Sequence, residues 1–448
     1  VPRGIKRVPR SSLHEGRFGR LFRRLPPAPE LSDKGLKDLA ESMREGKGGA
    51  KLDNSKIPSG YTYFGQFVDH DITFDPVSSL QRQNDPDALT DFRSPRFDLD
   101  SVYGSGPADE PFLYEQPQRL KLVLDKKNVE GEPDLQRNSD GVALIGDPRN
   151  DENIIVGQLQ LAFIRFHNKL AARVAKDKSV PADRRFEETQ KLVRWHYQWV
   201  VLHDFLPRIA GAGPVGERVK QGKGGVEIEL RWFRPRKNLF MPVEFSVAAY
   251  RYGHSQVRPR YDLNRIVRQV PIFIPGEKVG KFDDLRGFRP LPPSWTIDWS
   301  FFLGVPGAAK KPQLSRLIDA RLSGGLFDLP GFPQAESSLA FRNLKRGQAL
   351  GLPSGQAVAR RMELKPLTAK KLGGPEETPL WFYVLKESGL EGGQRLGKVG
   401  GQIVADVLLG LLKGDSHSFV NAEPRWRPTV VPKGKSFELA DLVRFATG

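Results

Sequence analysis

Histidine is scarce in this chain, seven residues against seventy Lys plus Arg, so the position of each one carries information. The stretch GQFVDHDITFDP, residues 65–76, sets His70 between Asp69 and Asp71, with Gln66 four residues earlier, in a run otherwise apolar and aromatic. Imidazole is the side chain whose ordinary pKa lies nearest neutrality, so it can carry a proton or bind a metal. A single buried histidine is nevertheless more often structural, and the case rests on what accompanies it. GDPRNDEN (146–153) places Arg149 and Glu152 just ahead of a long apolar segment. AAYRYGHS (248–255) sets His254 on an expected helix with Arg251 one turn before it, and FRNLKRG (341–347) sets Asn343 and Arg346 one turn apart. RSPRFDLDSVYGSG (93–106) alternates Ser94, Arg96, Asp98 and Asp100 at every second residue.

Helices must position these residues. Leu159, Phe163, Phe166 and Leu170 recur at spacings of 3 and 4, which predicts a helix over 157–177 that is buried on most sides. A second long helix is expected over 182–210. Shorter ones are expected over 242–257, 313–322, 337–346, 355–364 and 394–412. Strand signals are few: alternation over 226–232 and a short run at 272–274. Pro/Gly-rich loops lie between these segments, and none resembles a flexible linker. The expected fold is mainly α, with one large helical domain over 25–448 behind a basic arm over 1–24.

Composition bounds the partners. Of 448 residues 38% are hydrophobic, enough for a large core, and no apolar run reaches the roughly 18 residues of a membrane span. The absence of cysteine excludes disulfides and thiolate chemistry. The basic opening stretch shows no apolar signal-peptide core. These features fit a soluble protein of a bacterial setting, cytoplasmic or secreted. The net charge of +17 speaks to solubility and to anionic partners. Between residues 1 and 30 there are eight Lys/Arg against two Glu, but no nucleic-acid-binding fold motif accompanies them, so no nucleic acid is expected.

Taken in order, the Q-x-x-D-H-D stretch, the R-x-x-E pair, the R-Y-G-H and the N-x-x-R resemble the active site of the peroxidase–cyclooxygenase superfamily, the animal-type haem peroxidases, in a bacterial-type member. The resemblance covers most of the chain. It implies haem b, with His254 as the iron's protein ligand and Asn343 as the partner of its second ring nitrogen. It implies His70 as the acid–base group for hydrogen peroxide, Arg149 as the cation beside it, and Gln66 as the residue that orients distal water or a halide. Arg251 and Arg346 match arginines that pair with haem propionates. Asp69 and Glu152 match the carboxylates that mammalian members esterify to the haem. Asn153 stands where myeloperoxidase has a sulfonium-forming Met, so no sulfonium link is expected. Asp71 matches a Ca²⁺ ligand, completed by Ser94, the Arg96 carbonyl, Asp98 and Asp100. His167 and His196 are read as structural, and His14 and His417 as surface residues.

The leading reading is a peroxidase that uses hydrogen peroxide to oxidise small anions, such as halide or thiocyanate, or phenolic donors. A fatty-acid dioxygenase of the same superfamily is the first rival. Those enzymes place a radical-forming Tyr three residues before the proximal His, where this chain has Arg251. Tyr250 and Tyr252 flank that position, each about 100° away on an α-helix. A non-catalytic basic binding protein on the same fold is the second rival, and the complete set of site residues argues against it.

Overall fold

The computed structural model describes residues 18–45, 54–73, 94–125, 134–235, 239–274, 280, 282–305, 311–329, 332–431 and 436–448. Residues 1–17 of the expected arm, Phe74–Pro76 and residues 81–93 lie outside them. The remainder of the arm is stitched to the body. Phe18–Gly19 pairs in parallel with Met241–Pro242, and Phe22 is buried. The amides of Leu21 and Phe22 donate to the buried Glu244 carboxylate at 2.8 and 3.0 Å.

The chain is a mainly helical single domain with a few short strands, as its sequence pattern requires. Among the described residues every sheet is a two-stranded pair. The helix Ile154–Val174 takes the place expected over 157–177, and Leu159, Phe163, Phe166 and Leu170 on it are at most 2% exposed. Phe163 stacks on Phe67 of the Gly60–Ile72 helix, with ring centroids 4.5 Å apart. Tyr197 of the Arg185–Val200 helix meets both rings edge-on at 6.2 and 5.7 Å. Each buried ring contributes about 1.5–3 kcal/mol and each pair about 0.5–1.5 more. This three-helix junction fixes the helix that carries His70.

Several elements differ from expectation. The second long helix begins as a 3₁₀ turn at Ala182–Arg184 and passes through a π segment, Val201–Phe205, before Leu206–Ala210. The helix expected over 313–322 is absent. Leu314–Arg316 is a strand, antiparallel to Asn54–Pro58. That pairing holds the segment extended, and the amide of Gln313 just before it is taken by the Phe301 carbonyl at 2.8 Å. The strand expected at 272–274 lies two residues earlier, at Val270–Pro271, and the one expected over 226–232 is confined to Gly225–Ile228.

The segment that carries His254 is not an α-helix. A π segment, Glu244–Ala248, runs into a 3₁₀ helix, Ala249–Gln256. Side chains occupy the carbonyls that an α-helix would use: Arg251 Nε donates to Ser246 O at 2.9 Å, and Trp381 Nε1 to Arg251 O at 3.2 Å. With three residues per 3₁₀ turn, Arg251 and His254 eclipse one another.

Candidate active site

Gln66, Asp69 and His70 share one face of the Gly60–Ile72 helix by their spacing of 3 and 4, and with the extended C-cap Thr73 they line a cavity of about 820 Å³. Arg149 and Glu152 line it too. They lie three apart on the 3₁₀ turn Pro148–Asp151 and its C-cap, so both face the same way. Arg251, His254 and Arg346 reach the cavity from two further elements. Four segments far apart in sequence therefore meet at one space, whose volume falls within the roughly 300–1,000 Å³ usual for cofactor pockets.

Each of the two imidazoles is held by an asparagine. His70 Nδ1 lies 2.8 Å from Asn150 Oδ1, and Asn150 Nδ2 in turn donates to Gln160 Oε1 at 2.9 Å. Because Oδ1 only accepts, Nδ1 of His70 carries the proton and Nε2 keeps its lone pair. Burial, with Arg149 as the next contribution, pushes the His70 pKa down to about 4, so the ring is neutral at neutral pH. His254 Nδ1 lies 2.9 Å from the Asn343 amide nitrogen. The isosteric amide with oxygen and nitrogen exchanged presents Oδ1 instead, and that form leaves Nε2 of His254 as a lone-pair donor. Burial and then Arg251 push the His254 pKa down to about 3.

Arg149 is anchored rather than loose. Its guanidinium donates to the buried Asp147 carboxylate at 2.7 Å and to the backbone carbonyl of His70 at 3.0 Å. Glu152 Oε1 lies 3.8 Å from His70 Nε2 and accepts from Gln66 Nε2. Its side chain is 41% exposed, but that exposure is to the cavity, and burial pushes its pKa up to about 7. Asp69 also lines the cavity, where Thr73 Oγ1 lies 3.4 Å from its carboxylate. The two tyrosines expected one step off both line the cavity, and the Tyr250 hydroxyl donates to Gly65 O at 3.2 Å.

Asp71 faces away from the cavity, is fully buried, and meets the acidic loop. Carboxylate oxygens of Asp71, Asp98 and Asp100 lie within 4.8 Å of one another. Ser94 Oγ donates to Asp98 Oδ2 at 2.6 Å. Leu99, between the two loop aspartates, adopts the left-handed conformation, φ 57° and ψ 36°, a strained position for a branched side chain. Arg96 turns its guanidinium toward Asp415, 3.7 Å away. Three carboxylates this close repel unless a cation or protons offset them. An all-oxygen donor set of this kind fits Ca²⁺.

Among the described residues the remaining histidines, His167, His196, His203 and His417, do not line the cavity. His167 is held by the Tyr103 hydroxyl at 3.0 Å and by Leu120 O at 2.9 Å. His196 is held by Leu192 O at 2.7 Å and by the Thr429 amide at 3.0 Å. The side chain of His417 is 94% exposed, and His14 lies outside the described residues. Sequence reasoning missed Asp147, Asn150 and Gln160. Their signal was faint: Asp147 and Asn150 stand inside the GDPRNDEN motif, but only the fold shows what they hold.

Residues 81–372 match the sequence profile of a family described as animal haem peroxidase. That span includes Arg149, His254 and Asn343, and it begins after Gln66 and His70. The chain is similar to thyroid peroxidase from Sus scrofa, 26% identical over 367 residues. The alignment covers 71% of this chain and only 37% of that protein, so the chain spans little more than a third of its relative's length. Among solved structures it resembles peroxidase A from Dictyostelium discoideum, with a TM-score of 0.71, 16% identity, and 99% and 95% of the two chains covered. A fatty acid alpha-dioxygenase from Arabidopsis thaliana is more distant, with a TM-score of 0.61, 15% identity, and 95% and 74% covered. With the profile matching well over half of its length, this chain belongs to the animal haem peroxidase family.

Proposed function

We propose that the protein is a haem peroxidase that reduces hydrogen peroxide and oxidises small anions, such as halide or thiocyanate, or phenolic donors. One observation carries the reading: two neutral imidazoles line a single cavity, each with Nδ1 held by an asparagine. The cavity's volume, its two imidazoles and its arginines fit haem b. His254 would hold the iron, with Arg251 and Arg346 at the propionates. Haem, when bound, would supply the iron for peroxide reduction and the electrons that O–O cleavage consumes.

The chain's own residues manage the protons and the charge. Cleaving the O–O bond requires a proton to leave one oxygen and arrive at the other. His70 Nε2 is unprotonated and can take the proton and return it. Arg149, fixed by Asp147, presents a positive charge beside the place where the leaving oxygen becomes negative. Gln66 orients the small molecule that enters. Asp69 and Glu152 stand at the cavity wall as candidates for ester links to the haem edge. Asp71, Ser94, the Arg96 carbonyl, Asp98 and Asp100 would hold Ca²⁺ and tie the His70 helix to its loop. Residues 25–448 would form the peroxidase domain, behind the basic arm.

The absorption spectrum of the haem-loaded protein before and after peroxide tests the reading. A Soret band that shifts on mixing and returns when a donor is added supports it. Oxygen uptake with a polyunsaturated fatty acid, without peroxide, would instead indicate the dioxygenase reading. Mass spectrometry of acid–solvent extracts, taken after several equivalents of peroxide, tests the esters. Covalent haem that falls in Asp69→Ala is expected, and haem that still extracts completely contradicts that assignment.

A further inference from the structure

Asn153 has no thioether sulfur and cannot form a sulfonium bond. It is 4% exposed, and its side chain is committed at both ends. Its Oδ1 accepts from the Val156 amide at 2.9 Å and caps the Ile154–Val174 helix. Its Nδ2 must therefore face the other way, and there it donates to Gln66 Oε1 at 3.1 Å. Gln66 then has its nitrogen at its other end, where Nε2 donates to Glu152. Every link has one possible direction once the helix amide is fixed as the first donor. We propose that Asn153 is a positioning residue. Through this relay it fixes the Gln66 amide so that N–H, and not C=O, faces the peroxide side of the cavity, which equips that side for a small anion.

The inference rests on the reading of the cavity as a haem pocket with Gln66 on the peroxide side. Glu152 alone does not set the orientation, because a protonated carboxyl can donate to Oε1 as readily as an ionised one accepts from Nε2. Asn153 sets it in either state, since the Val156 amide does not titrate. The charged and titratable groups facing Gln66 are Glu152 and His70, with Asp69 and Arg149 beside them on the cavity wall.

The test uses the haem-loaded full chain and bromide as probe, with Kd read from the shift of the Soret band. Asn153→Ser keeps a good N-cap and the same charge, but its hydroxyl is too short to reach Gln66. The thermal midpoint should stay close to that of the parent, while bromide binding weakens by roughly three- to tenfold, the worth of one oriented hydrogen bond. Asn153→Asp also keeps the cap but turns an acceptor toward Gln66, and should weaken bromide further. Gln66→Leu separates the two levels of the argument. If Gln66→Leu weakens bromide and both Asn153 variants bind as the parent does, the orienting role is wrong and the pocket reading stands. If Gln66→Leu also leaves Kd unchanged, the reading of Gln66 itself fails.

Discussion

At the residue scale the two cavity histidines share an asparagine at Nδ1 and differ in their other neighbours. His70 Nε2 has Glu152 at 3.8 Å, and the anchored Arg149 donates to the His70 backbone carbonyl, whereas His254 has Arg251 one eclipsed turn away. The proposed roles of proton carrier and iron ligand draw on that difference. His70→Ala should keep its haem and react with peroxide about 10²- to 10⁴-fold more slowly. Stopped-flow rates equal to the parent's would remove His70 from the mechanism. Glu152 makes a second prediction. Its carboxyl keeps its proton up to about pH 7, because burial disfavours the charge. Below that pH it is neutral; above it, a negative charge stands beside the proposed anion site. Bromide should therefore bind more weakly as pH rises through 7, by about tenfold or more. Glu152→Gln should flatten that slope, and a parent profile already flat between pH 5.5 and 8.5 would contradict the assignment. The cavity residues themselves were legible in the sequence, because Gln66, Asp69 and His70 keep their spacing in any helix. Their partners were not. Asn150 and Asn153 reach His70 and Gln66 across eighty and eighty-seven residues, a contact no local pattern encodes.

At the element scale, the stacked rings of Phe67 and Phe163 hold the His70 helix, and on its far side Asp71 meets the acidic loop, accepting from Ser101 Oγ at 3.5 Å. Gly146 allows a further close approach there. A methyl group there would lie 2.4 Å from the Asp100 carbonyl oxygen, so only glycine lets the acidic loop and the Arg149 turn approach. If Ca²⁺ fills the loop, Asp98→Ala should lose the metal and lower the thermal midpoint. A bound ion at a hundredfold excess over its Kd contributes about 3 kcal/mol. Elemental analysis near zero together with parental stability and haem spectrum would rule out a structural ion. The Ile154–Val174 helix was readable because its apolar residues repeat at helical spacing over five turns. The 3₁₀ form of Ala249–Gln256 was not, because the Trp381 indole that takes the Arg251 carbonyl comes from 130 residues away. The segment over 313–322 carried helix-like spacing, yet pairing with Asn54–Pro58 overrode it.

At the scale of the whole molecule, a net charge of +17 raises the local concentration of small anions, and several arginines stand in the cavity wall. The same fold is shared with a peroxidase and, more distantly, with dioxygenases, so architecture alone does not choose between the two chemistries. The mainly helical class was evident from periodicity. The assembly of four distant motifs around one cavity was legible only through their joint resemblance to a family, since no single motif specifies its neighbours. In the proposed mechanism His254 holds a haem iron in this cavity while His70 serves the peroxide. The most direct measurement is haem content and absorption spectrum of His254→Ala beside the parent, after equal exposure to haem. The variant should lose most of its haem, or bind it with a changed spectrum and no response to peroxide. A variant with full haem, the parental Soret band and parental peroxidase activity would contradict that mechanism.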